Sequence, residues 1–350
     1  MSGRWVRAKQ SPDTNGKLRP HEPRHFLVQD LTLGLGLAAL GRPGYVTLNH
    51  SSDLGGRYDQ SAMESHAHDV LDAAFDAGIR YIDAARSYGR AEDFLASWPR
   101  KRGITPAEIT VASKWGYTYT AGWSTSATQH EVKDHSLAAF ERQLAESVEL
   151  LGQYLSLYQI HSVTAESKTL EDNALIDAIA RLRERGIRAG LSVSGAGQAV
   201  AIRRSLDVRR DGIRVFDSVQ ATWNLLERGA ESALQDARDA GMKVVVKESL
   251  ANGRLTQANR DEDDALYPAV ARIRELAENR GTNIETLALA AALAQPWANI
   301  VLTGAATVDQ IRSTVAALDF AYGIELDEQL RSVSVTPEEY WRARSSFKWN

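Results

Sequence analysis

The sequence predicts an α/β protein of a single domain, a (β/α)8 barrel of the TIM type. Three observations carry this expectation. Eight short, largely apolar runs punctuate the chain, amphipathic helical runs alternate with them, and no Pro- or Ser-rich linker or shift in composition divides it. Runs that are apolar throughout, rather than alternating, are what parallel strands covered on both faces require. At 350 residues the chain is long for one average domain, but a barrel absorbs that length.

The strands are expected at 31–37, 79–83, 109–113, 155–160, 187–193, 213–219, 243–247 and 300–303. Ahead of them, residues 1–28 are rich in Arg, Lys and Pro and have no apolar stretch, so they read as a flexible tail and not as a secretory signal. The run 136–151 places Leu137, Phe140, Leu144 and Val148 on one helical face. The run 264–279 does the same with Leu266, Val270, Ile273 and Leu276, and stops near Gly281; Pro268 confines its start to the first turn. A further helix over 282–294 ends before Pro296. The barrel is expected to span 29–320, leaving 321–350 as a C-terminal segment.

Composition narrows the function. With 43% apolar and 25% charged residues the chain can bury a large core. Lys and Arg number 41 against 45 Asp and Glu, a net charge of −4, so there is no positive excess for nucleic acid or an anionic membrane. There is no cysteine, which excludes disulfides, thiolate nucleophiles, iron–sulfur clusters and Cys-ligated zinc, and fits a reducing cytoplasm. No apolar run approaches the ~18–20 residues that span a bilayer. The expected partner is a small molecule.

Barrel enzymes place their chemistry at the C-terminal ends of the strands. The second strand ends in Asp83, followed by Ala84-Ala85-Arg86-Ser87-Tyr88-Gly89; the third ends in Ser113-Lys114; the fourth runs into His161. Singly, these read equally well as a helix cap, a solvated rim charge and a core histidine. On one rim they form a proton-relay set. A phenol has an ordinary pKa of about 10, too high to protonate a carbonyl oxygen efficiently at neutral pH. A neighbouring ammonium favours the phenolate, a buried carboxylate orients the ammonium, and an imidazole can orient the carbonyl.

Other motifs carry less. Gly34-x-Gly36-x-x-Ala39, with Asp53 downstream, imitates a dinucleotide fingerprint, but Gly41, Pro43 and Gly44 deny it the helix it needs. His66-x-His68 is read as part of a solvated helix face and not as a metal pair, so no metal is expected. Gly190-Leu-Ser192-Val-Ser194 lacks the closing glycine of a nucleophile elbow, and there is no P-loop.

The stretches Gly78-Ile-Arg-Tyr-Ile-Asp83-Ala-Ala-Arg-Ser-Tyr88-Gly89, Ile109-Thr-Val-Ala-Ser-Lys114, Leu150 to His161, Val219-Gln220-Ala-Thr-Trp-Asn224 and Val301-Leu-Thr-Gly304-Ala305 resemble, in order, the aldo-keto reductase superfamily. The resemblance implies a TIM barrel reducing an aldehyde or ketone to an alcohol, with Asp83, Tyr88, Lys114 and His161 as the catalytic tetrad and Tyr88 as general acid. It also implies a nicotinamide site drawing on Gly36, Ser194, Gly195, Gln220, Lys247, Leu250, Arg254, Gly304 and Gln310. Gly195 stands where the family has Asn, and Lys247 where an aromatic often stacks. The basic pair that clamps a 2′-phosphate is absent: Gln310 occupies one of its positions, Arg312 is the nearest base, and Arg254 is another candidate. NADPH is the cofactor expected from the family, with NADH open. Trp115, Tyr117 and Trp223 are candidate substrate walls, together with aromatics of the C-terminal segment; aromatic walls suit a hydrophobic or aromatic carbonyl compound. Two other functions fit the same residues. One is a non-catalytic nicotinamide-binding regulatory subunit, the other a Schiff-base lyase using Lys114 or Lys247.

Overall fold

The computed structural model describes residues 32–48, 50–259, 261–347 and 349; the expected tail, 1–28, lies outside them. Eight parallel strands close a barrel: β1 (Thr32–Gly36), β2 (Tyr81–Asp83), β3 (Thr110–Trp115), β4 (Leu155–Val163), β5 (Arg188–Val193), β6 (Ser218–Thr222), β7 (Lys243–Lys247) and β8 (Ile300–Thr303). β1 closes the ring against β8 and β2.

The alternation of side chains along each strand builds the barrel in layers. Tyr81, Ala112, Leu157, Val245, Ile300 and Leu302 form an apolar cluster of their own, the plug of the barrel. Two residues further along the same faces stand Asp83, Lys114, Gln159 and Lys247. The inward register thus passes from hydrocarbon to charge within one step of the pleat, just below the C-terminal rim. The remaining core lies between the strands and the surrounding helices.

The helices obey their local signals. Ser136 caps Leu137–Leu151 by accepting from Ala139 N at 3.1 Å, and Asn283 caps Ile284–Leu293 by accepting from Thr286 N at 2.7 Å. The helix expected over 264–279 runs from Tyr267 to Glu278, with Pro268 in its first turn, where no N–H is missed.

Two elements depart from expectation. The sixth strand lies at Ser218–Thr222, not 213–219. Ile213–Arg214 instead pairs antiparallel with Arg209–Arg210 through Asp211-Gly212, whose φ angles of 51° and 75° make the two-residue turn of a tight hairpin. The aromatic stretch after β3 also forms a hairpin, Tyr117–Tyr119 against Glu131–Lys133.

The turn that carries Tyr88 is locked by two glycines. Gly89 has a φ of 62°, and a Cβ there would meet Gly41 O at 2.4 Å; a Cβ on Gly41 would meet Tyr88 O at 2.2 Å. Arg90 N donates to Gly41 O at 2.7 Å across this contact. Gly89→Ala therefore combines a left-handed backbone with a backbone clash, and should cost about 1–3 kcal/mol in urea unfolding. A loss under about 0.5 kcal/mol, the size of an ordinary surface change, would show that the turn is not locked.

Candidate active site

Asp83 and Lys114 meet at the centre of the barrel mouth as a buried ion pair, the Lys114 side chain being 0% exposed. Lys114 Nζ donates to Asp83 Oδ2, to Ala84 O at 3.0 Å and to Tyr88 Oη at 3.4 Å. Asp83 Oδ1 accepts from Gln220 Nε2 at 3.0 Å and from Gln159 Nε2 at 3.3 Å. Three strands besides β2 thus supply donors to one carboxylate, which offsets the cost of taking its charge out of water.

Tyr88 is half-buried above this pair, edge-on to His161 with ring centroids 5.5 Å apart. Burial holds its phenol well above the usual range, the Asp83 charge adds to this, and Arg42 opposes it. The expected lowering by Lys114 does not prevail, because Asp83 already neutralises that ammonium. Tyr88 is consequently a protonated phenol at neutral pH. Arg42 lies 5.2 Å from the Tyr88 ring and donates to Ser87 O at 2.8 Å and to Glu131 Oε2 at 3.0 Å.

His161 is neutral. Burial lowers its pKa well below the ordinary value, and Lys114, Lys247 and Arg42 act in the same direction. Its backbone is fixed by His135, whose Nε2 donates to His161 O at 2.8 Å. His135 is itself pushed down to about 4 by burial. That bond places the His135 proton on Nε2 and leaves Nδ1 to accept from Thr169 Oγ1 at 2.9 Å.

At the end of β7, Lys247 Nζ donates to Thr222 Oγ1 at 2.7 Å, and burial pushes its pKa down to about 8. Burial alone would raise Glu248, but Arg344 and then Lys247 hold it at about 2. Arg344 donates to Glu248 Oε1 at 2.6 Å and to Oε2 at 3.0 Å, tying the C-terminal helix Pro337–Ser345 to the barrel mouth.

These groups open into a cavity of about 680 Å3. It runs from Tyr88 and His161 past Ser194, Gly195 and Gln220, then along Leu250, to Gly304 and Gln310. Gly36, Tyr117 and Lys247 also line it. Its far end is the N-terminus of the helix Val308–Ala316, capped by Thr307. An elongated cleft with hydrogen-bonding side chains at one end and a helix N-terminus at the other fits a dinucleotide. Ser194 and Gln220 would take the polar end near the catalytic centre.

Three expected site residues stand elsewhere. Trp115 follows the inward Lys114, so it points outward, and packs against Phe140 at 5.1 Å and His135 at 5.7 Å. Trp223 is fully buried behind the mouth, donating to Glu231 Oε1 at 3.1 Å and packing on Trp297. Arg254 is 1% exposed and donates to Asp264 Oδ2 at 2.6 Å and to Ala343 O at 3.0 Å; the Phe347 ring covers it at 3.9 Å. Asn224 is structural as well, donating to Tyr340 Oη and Glu248 O. His68 is buried, not solvated, with Nε2 against Phe94 O at 3.0 Å, while His66 donates to Ala306 O at 2.6 Å. Among the described residues no three His, Cys, Asp or Glu side chains gather as a metal site. No helix there is long and apolar enough to cross a membrane.

Arg42, Glu131 and Arg344 line the cavity without having been singled out from the sequence. Arg42 lies outside the strands, Glu131 lies in the hairpin beyond β3, and Arg344 is far along the chain from Glu248. Glu248, which directly follows β7, carried the one available signal, that of a charged residue at a strand end.

The model of the aldo/keto reductase family matches residues 33–334. YrpG, an oxidoreductase of Bacillus subtilis, is 24% identical over 306 residues, 79% of this chain and 91% of that protein. Versiconal hemiacetal acetate reductase of Aspergillus parasiticus is 23% identical over 303 residues, 77% and 83% of the two chains. Among solved structures, the holo form of the aldo-keto reductase AKR11C1 from Bacillus halodurans superimposes with a TM-score of 0.67 at 21% identity, covering 88% of this chain and 93% of that one. With the matched segment spanning the whole barrel, the chain belongs to the aldo/keto reductase family.

Proposed function

We propose that this oxidoreductase reduces an aldehyde or ketone to an alcohol, with Tyr88 as the general acid. The observation that carries the reading is the approach of Lys114 Nζ to Tyr88 Oη, 3.4 Å, above a buried Asp83 and beside a neutral His161. A reduced nicotinamide dinucleotide supplies the hydride when bound. Ser194, Gln220, Leu250, Gly304 and Gln310 would hold it, with Gly36, Gly195 and Lys247 completing the walls. The family resemblance makes NADPH the expected form, and the residues at the far end of the cleft bear on that choice.

Each residue of the tetrad has a distinct task. Tyr88 donates its proton to the carbonyl oxygen as negative charge develops there. Burial makes the phenol a weak acid at rest, so its acidity depends on charge that strengthens in the transition state: Lys114, with Arg42 on the other side, stabilises the phenolate. Asp83 aims Lys114 through their ion pair, and Gln159 and Gln220 keep Asp83 in place. His161, uncharged, donates a hydrogen bond that orients the substrate oxygen. Lys114 donates to three oxygens, which favours its role beside Tyr88 over an adduct on its own nitrogen.

The substrate wall consists of Tyr117, 5.0 Å from the His161 ring, and of Trp341, Phe347 and Trp349 from the C-terminal segment. Trp349 also lies 4.6 Å from the Arg42 guanidinium and stacks on His130 at 4.1 Å. These rings suit a hydrophobic or aromatic carbonyl compound.

Tyr88→Phe should lower kcat with an aromatic aldehyde by about 10²–10⁴-fold while leaving cofactor binding, read by tryptophan fluorescence, unchanged. Undiminished turnover would remove Tyr88 from the acid role. Arg344→Met should loosen the C-terminal wall and release Glu248. Because the folded pKa of Glu248, about 2, lies below its ordinary 4.5, the pair's stabilisation is present above pH 4.5 and is lost as the pH falls toward 2. The gap in urea midpoint between wild type and variant should therefore be widest near neutrality and shrink below pH 4. A gap independent of pH would mean that the ion pair contributes nothing.

A further inference from the structure

We infer that the cleft selects the dinucleotide that lacks a phosphate on the adenosine 2′ position, taking NADH in preference to NADPH. The inference rests on the reductase reading and concerns the end of the cleft remote from Tyr88. In a (β/α)8 barrel the loops after the last two strands and an adjacent helix N-terminus receive phosphate groups, which sets the adenosine beyond them. Here that region is the turn Gly304–Ala306 and the start of the helix Val308–Ala316.

The two ends of the cleft differ in charge. Among the described residues that line it, the Lys and Arg side chains are Arg42, Lys247 and Arg344. Arg42 lies over Tyr88, Lys247 ends β7, and Arg344 is paired with Glu248, so all three belong to the catalytic end. The charged groups at the far end are Asp53 and Glu285.

Both carboxylates are placed to accept hydrogen bonds. Glu285 Oε1 accepts from Gln257 N at 2.6 Å, while Glu285 Oε2 is buried without a partner. Asp53 accepts from the Gln310 side chain, and Gln310 Oε1 in turn accepts from Ala306 N at 2.7 Å. Gln310, which occupies a position of the missing basic pair, is thus committed to neighbours at both ends of its amide. Among the described residues no Lys or Arg lines this end. Arg312 is 75% exposed and pairs with Asp309, and Arg254 is enclosed by Asp264, Ala343 and Phe347 off the cleft wall.

The chemistry of the two cofactor forms differs at this one position. A ribose 2′-hydroxyl is a donor, and an unpartnered carboxylate oxygen is the acceptor it needs; the same chemistry operates in Rossmann folds, where an acidic residue accompanies NAD and an arginine NADP. A 2′-phosphate brings negative charge and acceptor oxygens to a wall that already has both, and meets no Lys or Arg among the described residues there.

The test is a fluorescence titration of the full-length protein with NADH and with NADPH, using the cleft residues Trp341 and Trp349 as reporters. NADH should bind about 10-fold tighter or better, a factor equivalent to about 1.4 kcal/mol. In Asp53→Asn/Glu285→Gln the NADPH Kd should fall several-fold relative to that of NADH. Tighter or equal binding of NADPH by the wild type would overturn the inference and leave the reductase reading intact. A preference for NADH that survives the double substitution unchanged would overturn the assignment to these carboxylates. If neither dinucleotide binds, the reductase reading fails and the inference fails with it.

Discussion

The buried pair of Lys114 and Asp83 is the constraint on which the rest of the site depends. Two opposite charges lie in the centre of a barrel, directly above a plug of hydrocarbon formed by Tyr81, Ala112, Leu157 and their neighbours. Deleting either partner would leave an uncompensated buried charge, which in other proteins costs about 3–5 kcal/mol. The pair persists because a closed ring of strands brings donors to it from several directions: Gln159 from β4, Gln220 from β6 and the ammonium from β3. An open sheet would not surround one carboxylate in this way. The closed barrel is therefore the source of the pair's stability as well as its scaffold.

The surrounding electrostatics follow from that centre. Burial keeps Tyr88 and His161 in their uncharged forms, reinforced by the Asp83 charge at the phenol and by Lys114 at the imidazole. In the proposed reaction, the charge that develops at Tyr88 would be met by Lys114 and Arg42. The further cations Lys247 and Arg344 are tied to Glu248, and Arg344 brings the aromatic C-terminal segment across the mouth. Among the described lining residues, Arg42, Lys247 and Arg344 stand at the catalytic end, alongside the carboxylates Asp83, Glu131 and Glu248, and the far end carries Asp53 and Glu285. One cavity thus has two ends of different charge, each facing a different part of an elongated ligand.

Much of this was legible in the sequence, for a physical reason. Parallel strands buried on both faces are written as uninterrupted apolar runs, and a polar residue that ends such a run is forced to the barrel mouth. Asp83, Lys114 and His161 follow from that rule, whereas Gln220 and Lys247 follow from the family resemblance. Parity along the strand would have corrected Trp115 as well, since a residue next to an inward lysine must point outward. Trp223, one step beyond Thr222, follows the same alternation. The sixth strand was displaced because Ile213 and Val215 carry strand-like composition, but Asp211-Gly212 spends it on a local hairpin. Arg254 shows the opposite limit: its charge suggested a phosphate, yet its partner is Asp264, ten residues away. Arg42 and Arg344 could not be read at all. Their roles arise from contacts with Tyr88 and Glu248 that only tertiary packing creates.

The central claim is that this mouth delivers hydride to a carbonyl carbon while Tyr88 protonates its oxygen. The most direct measurement is the fate of an isotope label. The protein is incubated with an aromatic aldehyde and reduced nicotinamide dinucleotide deuterated at the transferable C4 position, and the product is analysed by mass spectrometry. One deuterium is expected on the carbinol carbon and none from labelled water at that position. An alcohol whose carbinol hydrogen comes from solvent, or recovery of unreduced aldehyde attached to a lysine, would contradict that claim.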